Sequence, residues 1–231
     1  MKYIRRANER GVANFGWLNS KHSFSFGNYY DPKHMGISAL RVINDDMVMP
    51  GQGFGTHGHR DMEIISYVIE GALKHEDSEG NAHVIPAGDV QRMSAGSGIM
   101  HSEFNASQTD PVNFFQIWIQ PNRLGTQPSY AQKTLPQEDP LTPLVTPDGE
   151  GNTLSMQQNA RMSRLMLSTG DVFHLASHES IGYLHLIKGE LTTEDDTFGP
   201  GDAFAIDPNQ VLQVKAGADV EALWFELPAA R

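Results

Sequence analysis

The chain contains no cysteine. That removes a disulfide framework, a thiolate metal site and a cysteine nucleophile, so any metal must be held by nitrogen and oxygen. Positive charge is also scarce: 17 Lys and Arg stand against 28 Asp and Glu, a formal net charge of -11. Such a balance opposes sequence-independent attraction to a nucleic-acid backbone or an anionic bilayer. No run of 18 apolar residues occurs, and the opening MKYIRRANERG lacks the apolar core of a secretory signal. Direct nucleic-acid binding and a membrane span are therefore not expected, and a cytoplasmic location is. Arg5, Arg6 and Arg10 read as a solvated N-terminal segment.

What is present points to short strands. Twenty-two glycines and 13 prolines are spread among brief apolar runs rather than concentrated in one place, the pattern of many turns joining many strands. Runs such as LRVIN, MEIISYVIE and NFFQIWIQ fill residues 23–120, and SRLMLSTG, IGYLHLIKGEL and VEALWFEL follow later. Between them Pro128, Pro136, Pro140, Pro143 and Pro147 sit among Gln, Thr and Gly, which argues for a linker draped over a surface. The two halves resemble each other. Tyr67-Val-Ile-Glu-Gly-Ala-Leu73 aligns with Leu186-Ile-Lys-Gly-Glu-Leu191, and Pro86-Ala-Gly-Asp89 with Pro200-Gly-Asp202. The expected architecture is all-β: two consecutive small β-barrels, with a first domain over 1–121, a linker over 122–152 and a second domain over 153–231.

Residues 55–63 read GTHGHRDME. On a strand, His57 and His59 would face the same way, and so would His101 and Glu103 in IMHSEF. Two such pairs on separate strands can converge to three imidazoles and one carboxylate, a donor set suited to a first-row divalent metal with open positions. Glycine-rich approaches precede both pairs, GQGFG before the first and MSAGSG before the second. Glu63 shares strand parity with His57 and His59, so the residues alone leave two candidates for the carboxylate. His75 reads as a turn-side polar residue. Phe24, Phe26, Phe54, Met62 and Met93 are core candidates that could also line an apolar pocket.

Gly51, five residues, His57-Gly-His59, three residues, Glu63 and then Gly71 resembles the first cupin motif, with one residue more before the final glycine. Gly80, five residues and Pro86-Ala-Gly88 is similar to the start of the second motif, whose histidine would fall at Gln91. Ten residues on, His101-Ser-Glu103 takes its place, as in the pirin branch of the cupins. The opening GWLNSKHSFSFGNYYDP, LRVINDD and PAGDVQRMSAGSGIMHSE resemble the bacterial pirins regarded as quercetin 2,3-dioxygenases.

The resemblance implies a bicupin of double-stranded β-helix, jelly-roll type. Its N-terminal barrel would bind one divalent metal through His57, His59, His101 and Glu103, leaving Glu63 to orient an imidazole or to pair with Arg60. Iron comes first, although such a nitrogen and oxygen set also accepts copper, nickel, manganese, cobalt or zinc. In the second half Leu175, Ser177 and Ile181 align with His57, His59 and Glu63, so that domain is expected to lack a metal, with His174, His178 and His185 as ordinary structural or surface residues. The implied activity is dioxygenolytic opening of a flavonol such as quercetin with release of carbon monoxide, the partners being the flavonol and dioxygen and Glu103 the catalytic base. The alternative is a metal-dependent regulatory module acting through a protein partner.

Overall fold

Strands dominate the computed structural model, which describes Met1 and residues 3–229. Among the described residues the helical elements are two single 3-10 turns, Ala7–Glu9 and Glu150–Asn152. The all-β expectation holds. No helix among the described residues is long and apolar enough to cross a membrane.

The chain divides into two compact units, one of Gly11–Leu135 with Asp148–Gln158, the other of Met1–Arg10, Pro136–Pro147 and Asn159–Arg231. The division departs from sequence order at the start, because β1 (Tyr3–Arg5) pairs antiparallel with the strand Ala203–Ile206. The N-terminal arginines are accordingly not solvated. Arg5 and Arg10 are buried, and Arg6 pairs with Asp196 at 2.5 Å and Asp202 at 3.4 Å while its guanidinium stacks over Phe198. Backbone pairing of a short edge strand buries two of these cations and draws Arg6 against acidic residues that sequence spacing does not reveal.

In the first unit the strands are β2 (Gly11–Asn14), β3 (Leu18–His22), β4 (Leu40–Val48), β5 (Gly53–His59), β6 (Glu63–Glu70) and β7 (Ala72–Asp77). They are followed by β8 (Ala82–Pro86), β9 (Asp89–Ser94), β10 (Ile99–Asn105), β11 (Val112–Ile119) and β12 (Ser129–Thr134). A seven-stranded sheet runs β12-β9-β6-β11-β4-β3-β2, and a four-stranded sheet runs β5-β10-β7-β8. The sheets meet over one apolar core in which Val68, Val112 and Phe114 of the larger sheet touch Leu73 and Ile85 of the smaller. The core fills one part of the interior; polar side chains fill the rest, and they carry the site.

The second unit is built on a sheet ordered β1, Ala203–Ile206, Ile181–Thr192, Val211–Leu227, Arg161–Leu167 and Leu141–Thr146. Its interior is apolar, with Leu175, Leu184, Phe198, Phe204 and Trp224 in a single cluster. The repeated glycine turn is a shared device. Gly71 and Gly189 both adopt positive φ, 80° and 88°, and a Cβ at either would run into backbone, the Pro111 carbonyl or the Asp219 carbonyl. The proline-rich stretch expected to be a linker is more ordered than that: it contains β12, an edge strand, and the strand Leu141–Thr146. Pro143 is tolerated there because the ladder slips in register between Pro143 and Val145, the kind of irregularity at which a missing N–H costs little.

Candidate metal centre

Alternation along β5 turns His57 and His59 to one side, and antiparallel pairing sets His101 of β10 opposite His57. His101 Nε2 lies 2.9 Å from His57 Nε2 and 3.0 Å from His59 Nε2. The three rings pack edge to face with centroids 4.4 to 4.8 Å apart. A register slip between His101 and Glu103, which sets Glu103 opposite Phe54, puts a bulge in β5 beside the site, where bulges commonly re-aim a side chain.

Electrostatics keep two of the imidazoles, His59 and His101, neutral. Burial, and then the neighbouring rings, push His101 down to about 2; burial, and then the neighbouring His57 ring, push His59 down to about 4. His57 Nδ1 is 2.7 Å from the Gly55 carbonyl, which can only accept, so Nδ1 carries a proton and Nε2 is the nitrogen turned toward His101. Three ring nitrogens brought this close together form an arrangement that a cation sharing their lone pairs would stabilise. The donor set fits a single metal ion.

Glu103 stands beside this trio rather than within it. Its carboxylate groups with His101 and His75, their donor atoms within 4.8 Å of one another, so His101 belongs to both clusters. Ser66 Oγ donates to Glu103 Oε1 at 3.2 Å and Gln116 Nε2 donates to Oε2 at 3.3 Å. Full burial, with Asp46 nearby, pushes the Glu103 carboxyl up to about 7 against the Ser66 bond.

His75 corrects the sequence reading of a turn-side residue. It lies fully buried on β7, opposite Glu103 in register, with Nε2 2.7 Å from Asp77 Oδ2. The signal was available, since His75 and Asp77 share strand parity while Lys74 and Glu76 alternate outward. Glu63 is likewise neither aimed at an imidazole nor paired with Arg60. Its Oε2 accepts from Ser94 Oγ at 2.7 Å and from the Gln157 backbone N–H at 3.2 Å, and Arg60 donates instead to the Ser97 carbonyl.

Behind the histidines a row of polar side chains crosses the larger sheet in strict register: His22 opposite Asn44, then Gln116, Ser66 and Gln91. All five are buried. Gln91, which stands where the second cupin motif would carry a histidine, donates from Nε2 to Ser66 Oγ at 3.3 Å, so the position supports Glu103 through Ser66. Trp118 Nε1 donates to Gln116 Oε1 at 3.2 Å, and its ring meets His59 edge on at 5.1 Å.

A cavity of about 670 Å³ opens beside His57 and His59, within the roughly 300–1,000 Å³ usual for small-molecule sites. Phe15, Phe26, Tyr29, Phe54 and Trp118 give it apolar aromatic walls. Of the five apolar candidates, Phe26 and Phe54 line it, Phe24 and Met93 are buried in the core, and Met62 packs against a small cluster with Ile64, Met93 and Trp118.

Comparison with known proteins gives two family matches: Pirin over residues 4–119, and the quercetinase C-terminal cupin domain over residues 143–227. The chain is 44% identical over 229 residues to a protein of Escherichia coli strain K12 named quercetin 2,3-dioxygenase, covering 99% of each. It superposes on the crystal structure of the bacterial pirin YhhW from Escherichia coli in complex with nickel(II) with a TM-score of 0.94 at 44% identity, covering 99% of each chain. A quercetin 2,3-dioxygenase from Acinetobacter baumannii matches in fold, with a TM-score of 0.78 at 19% identity, over 98% of this chain and 86% of that one.

Proposed function

The chain belongs to the pirin family of the cupin superfamily, and from that footing we propose that it is a metal-dependent dioxygenase that opens flavonols such as quercetin, releasing carbon monoxide. The observation that carries this reading is the convergence of three imidazoles, His57, His59 and His101, the first two at the wall of an aromatic-lined cavity. The quercetin 2,3-dioxygenase name of the 44% identical relative supports it.

His57, His59 and His101 would hold one divalent metal, with Glu103 as the carboxylate donor and iron as the first candidate. When bound, the metal supplies Lewis acidity toward a phenolic hydroxyl and a means of activating dioxygen. The chain's own groups do the rest. Phe26, Phe54 and Trp118 hold a flat aromatic substrate and keep water from it. Glu103 accepts the 3-hydroxyl proton at a carboxylate oxygen. Ser66 and Gln116, each bonded to one oxygen of Glu103, fix its orientation.

The test is oxygen uptake with quercetin by metal-loaded protein, with carbon monoxide measured in the headspace. A flavone lacking the 3-hydroxyl offers no anionic oxygen there and should be turned over far more slowly. Equal loss of quercetin with metal-free protein or with His57→Ala identifies autoxidation and ends the dioxygenase reading. Elemental analysis of protein purified without a chelating tag decides the metal, and iron is overturned if another ion fills the site.

A further inference from the structure

The cavity beside His57 and His59 has a second polar feature that plays no part in holding a metal. His22, Asn44 and Asp46 all line it, and all are at least nine-tenths buried, with exposures of 4%, 2% and 2%. They form one patch: β3 and β4 pair so that His22 faces Asn44 and Ser20 faces Asp46. In each, one atom finds no partner among the described residues, namely His22 Nδ1, Asn44 Oδ1 and Asp46 Oδ1. Buried polar atoms are nearly always satisfied, and unmet ones call for a physical reason; three together on one cavity wall make a bound polar ligand that reason.

The chemistry of the unmet atoms indicates what completes them. Asn44 Oδ1 is an acceptor, Asp46 Oδ1 accepts when ionised, and His22 Nδ1 can take either role. The aromatic walls around them fit a flat ring, and a ring that presents O–H donors at its edge meets both requirements. We propose that His22, Asn44 and Asp46 form a specificity wall that recognises ring hydroxyls other than the one facing the histidines, so that the pocket selects polyhydroxylated aromatic substrates over bare ones. The substrate class rests on the flavonol reading; the wall itself rests on the cavity and its unmet atoms. Full burial, with Asp45 adding to it, pushes the Asp46 carboxyl up to about 7 against the Ser20 bond. Near neutral pH it can therefore accept from a phenol or donate to one.

Binding of quercetin and of 3-hydroxyflavone, which keeps the 3-hydroxyl but carries no others, is to be measured by calorimetry on the metal-loaded full chain without oxygen. Asn44→Leu and Asp46→Asn are measured beside the wild type. Quercetin should bind the wild type at least about tenfold tighter, and each variant should cut that ratio by about tenfold, the size of one lost bond to a buried acceptor. Equal binding of the two flavonols, or a ratio unchanged in folded variants, overturns the wall and leaves the dioxygenase reading standing. Discrimination without oxygen consumption once air is admitted does the reverse. If neither flavonol binds, both fall. Should a variant fail to fold, flavonols lacking hydroxyls one at a time report on the wild type, and an affinity indifferent to every hydroxyl overturns the proposal.

Discussion

At position 101 two clusters of donor atoms share one imidazole, since His101 groups both with His57 and His59 and with His75 and Glu103. Removing that ring should cost more metal than removing either neighbour. We expect His101→Ala to lose its metal on dialysis, read by elemental analysis, while keeping a cooperative thermal transition, because the core of Val68, Leu73, Ile85 and Phe114 contains no histidine. Full occupancy in His101→Ala would strike it from the set. The two carboxylates separate by what they touch. Glu103 is bound to Ser66 and Gln116 beside the imidazoles, whereas Glu63 is committed to Ser94 and Gln157. Glu103→Gln should therefore lower kcat about a hundredfold or more, the usual scale of a general-base loss. Glu63→Gln should act mainly on stability, by loosening β6 against β9. The opposite ordering of kcat effects would hand the proton to Glu63.

At the scale of the strand, the site depends on how closely β5 can approach β10. Gly53 lies opposite Phe104, and a Cβ there would meet the Glu103 carbonyl and the Phe104 Cα. Gly53→Ala should push the two strands apart, destabilise the unit by about 1–3 kcal/mol as overpacking does, and weaken metal binding although no candidate ligand is altered. A metal titration and a denaturant melt would check it, and wild-type values in both would show that the sheet yields without cost. Strand pairing also marks the limit of what the sequence discloses. The pairing of His57 with His59 and of His101 with Glu103 is legible because period-two spacing is local, although spacing alone leaves Glu63 and Glu103 as rival carboxylates; the strands are legible because turn residues punctuate them. The row His22, Asn44, Gln116, Ser66 and Gln91 was not legible, because it exists only once five strands distant in sequence take their register. Gln91 thus looked like a vacant motif position and proves to be part of that row. Arg5 and Arg10 looked solvated for the same reason, their burial being decided by an edge strand that joins the second unit.

Across the whole molecule, the same repeated strand pattern serves opposite ends in the two units. Where the first unit turns His57 and His59 toward a cavity, the aligned positions of the second are taken up by packing. Leu175 lies in the apolar cluster, Ser177 Oγ donates to the Asp207 carbonyl at 2.7 Å and accepts from the Gln210 backbone N–H at 3.0 Å, and Ile181 is nearly buried at 9% exposure. His174 and His178 are exposed. A metal titration should therefore saturate at one equivalent per chain. Its thermodynamic echo should be equally one-sided, since an ion that binds only folded protein stabilises it by about 2.7 kcal/mol when present at a hundred times its dissociation constant, and that gain belongs to the unit holding the histidines. Calorimetric scans with and without chelator should show the stabilisation in wild type and its loss in His57→Ala. Two equivalents retained by the wild type after dialysis would mean that donors outside the first unit bind metal, and the division of labour between the two units would fail with it.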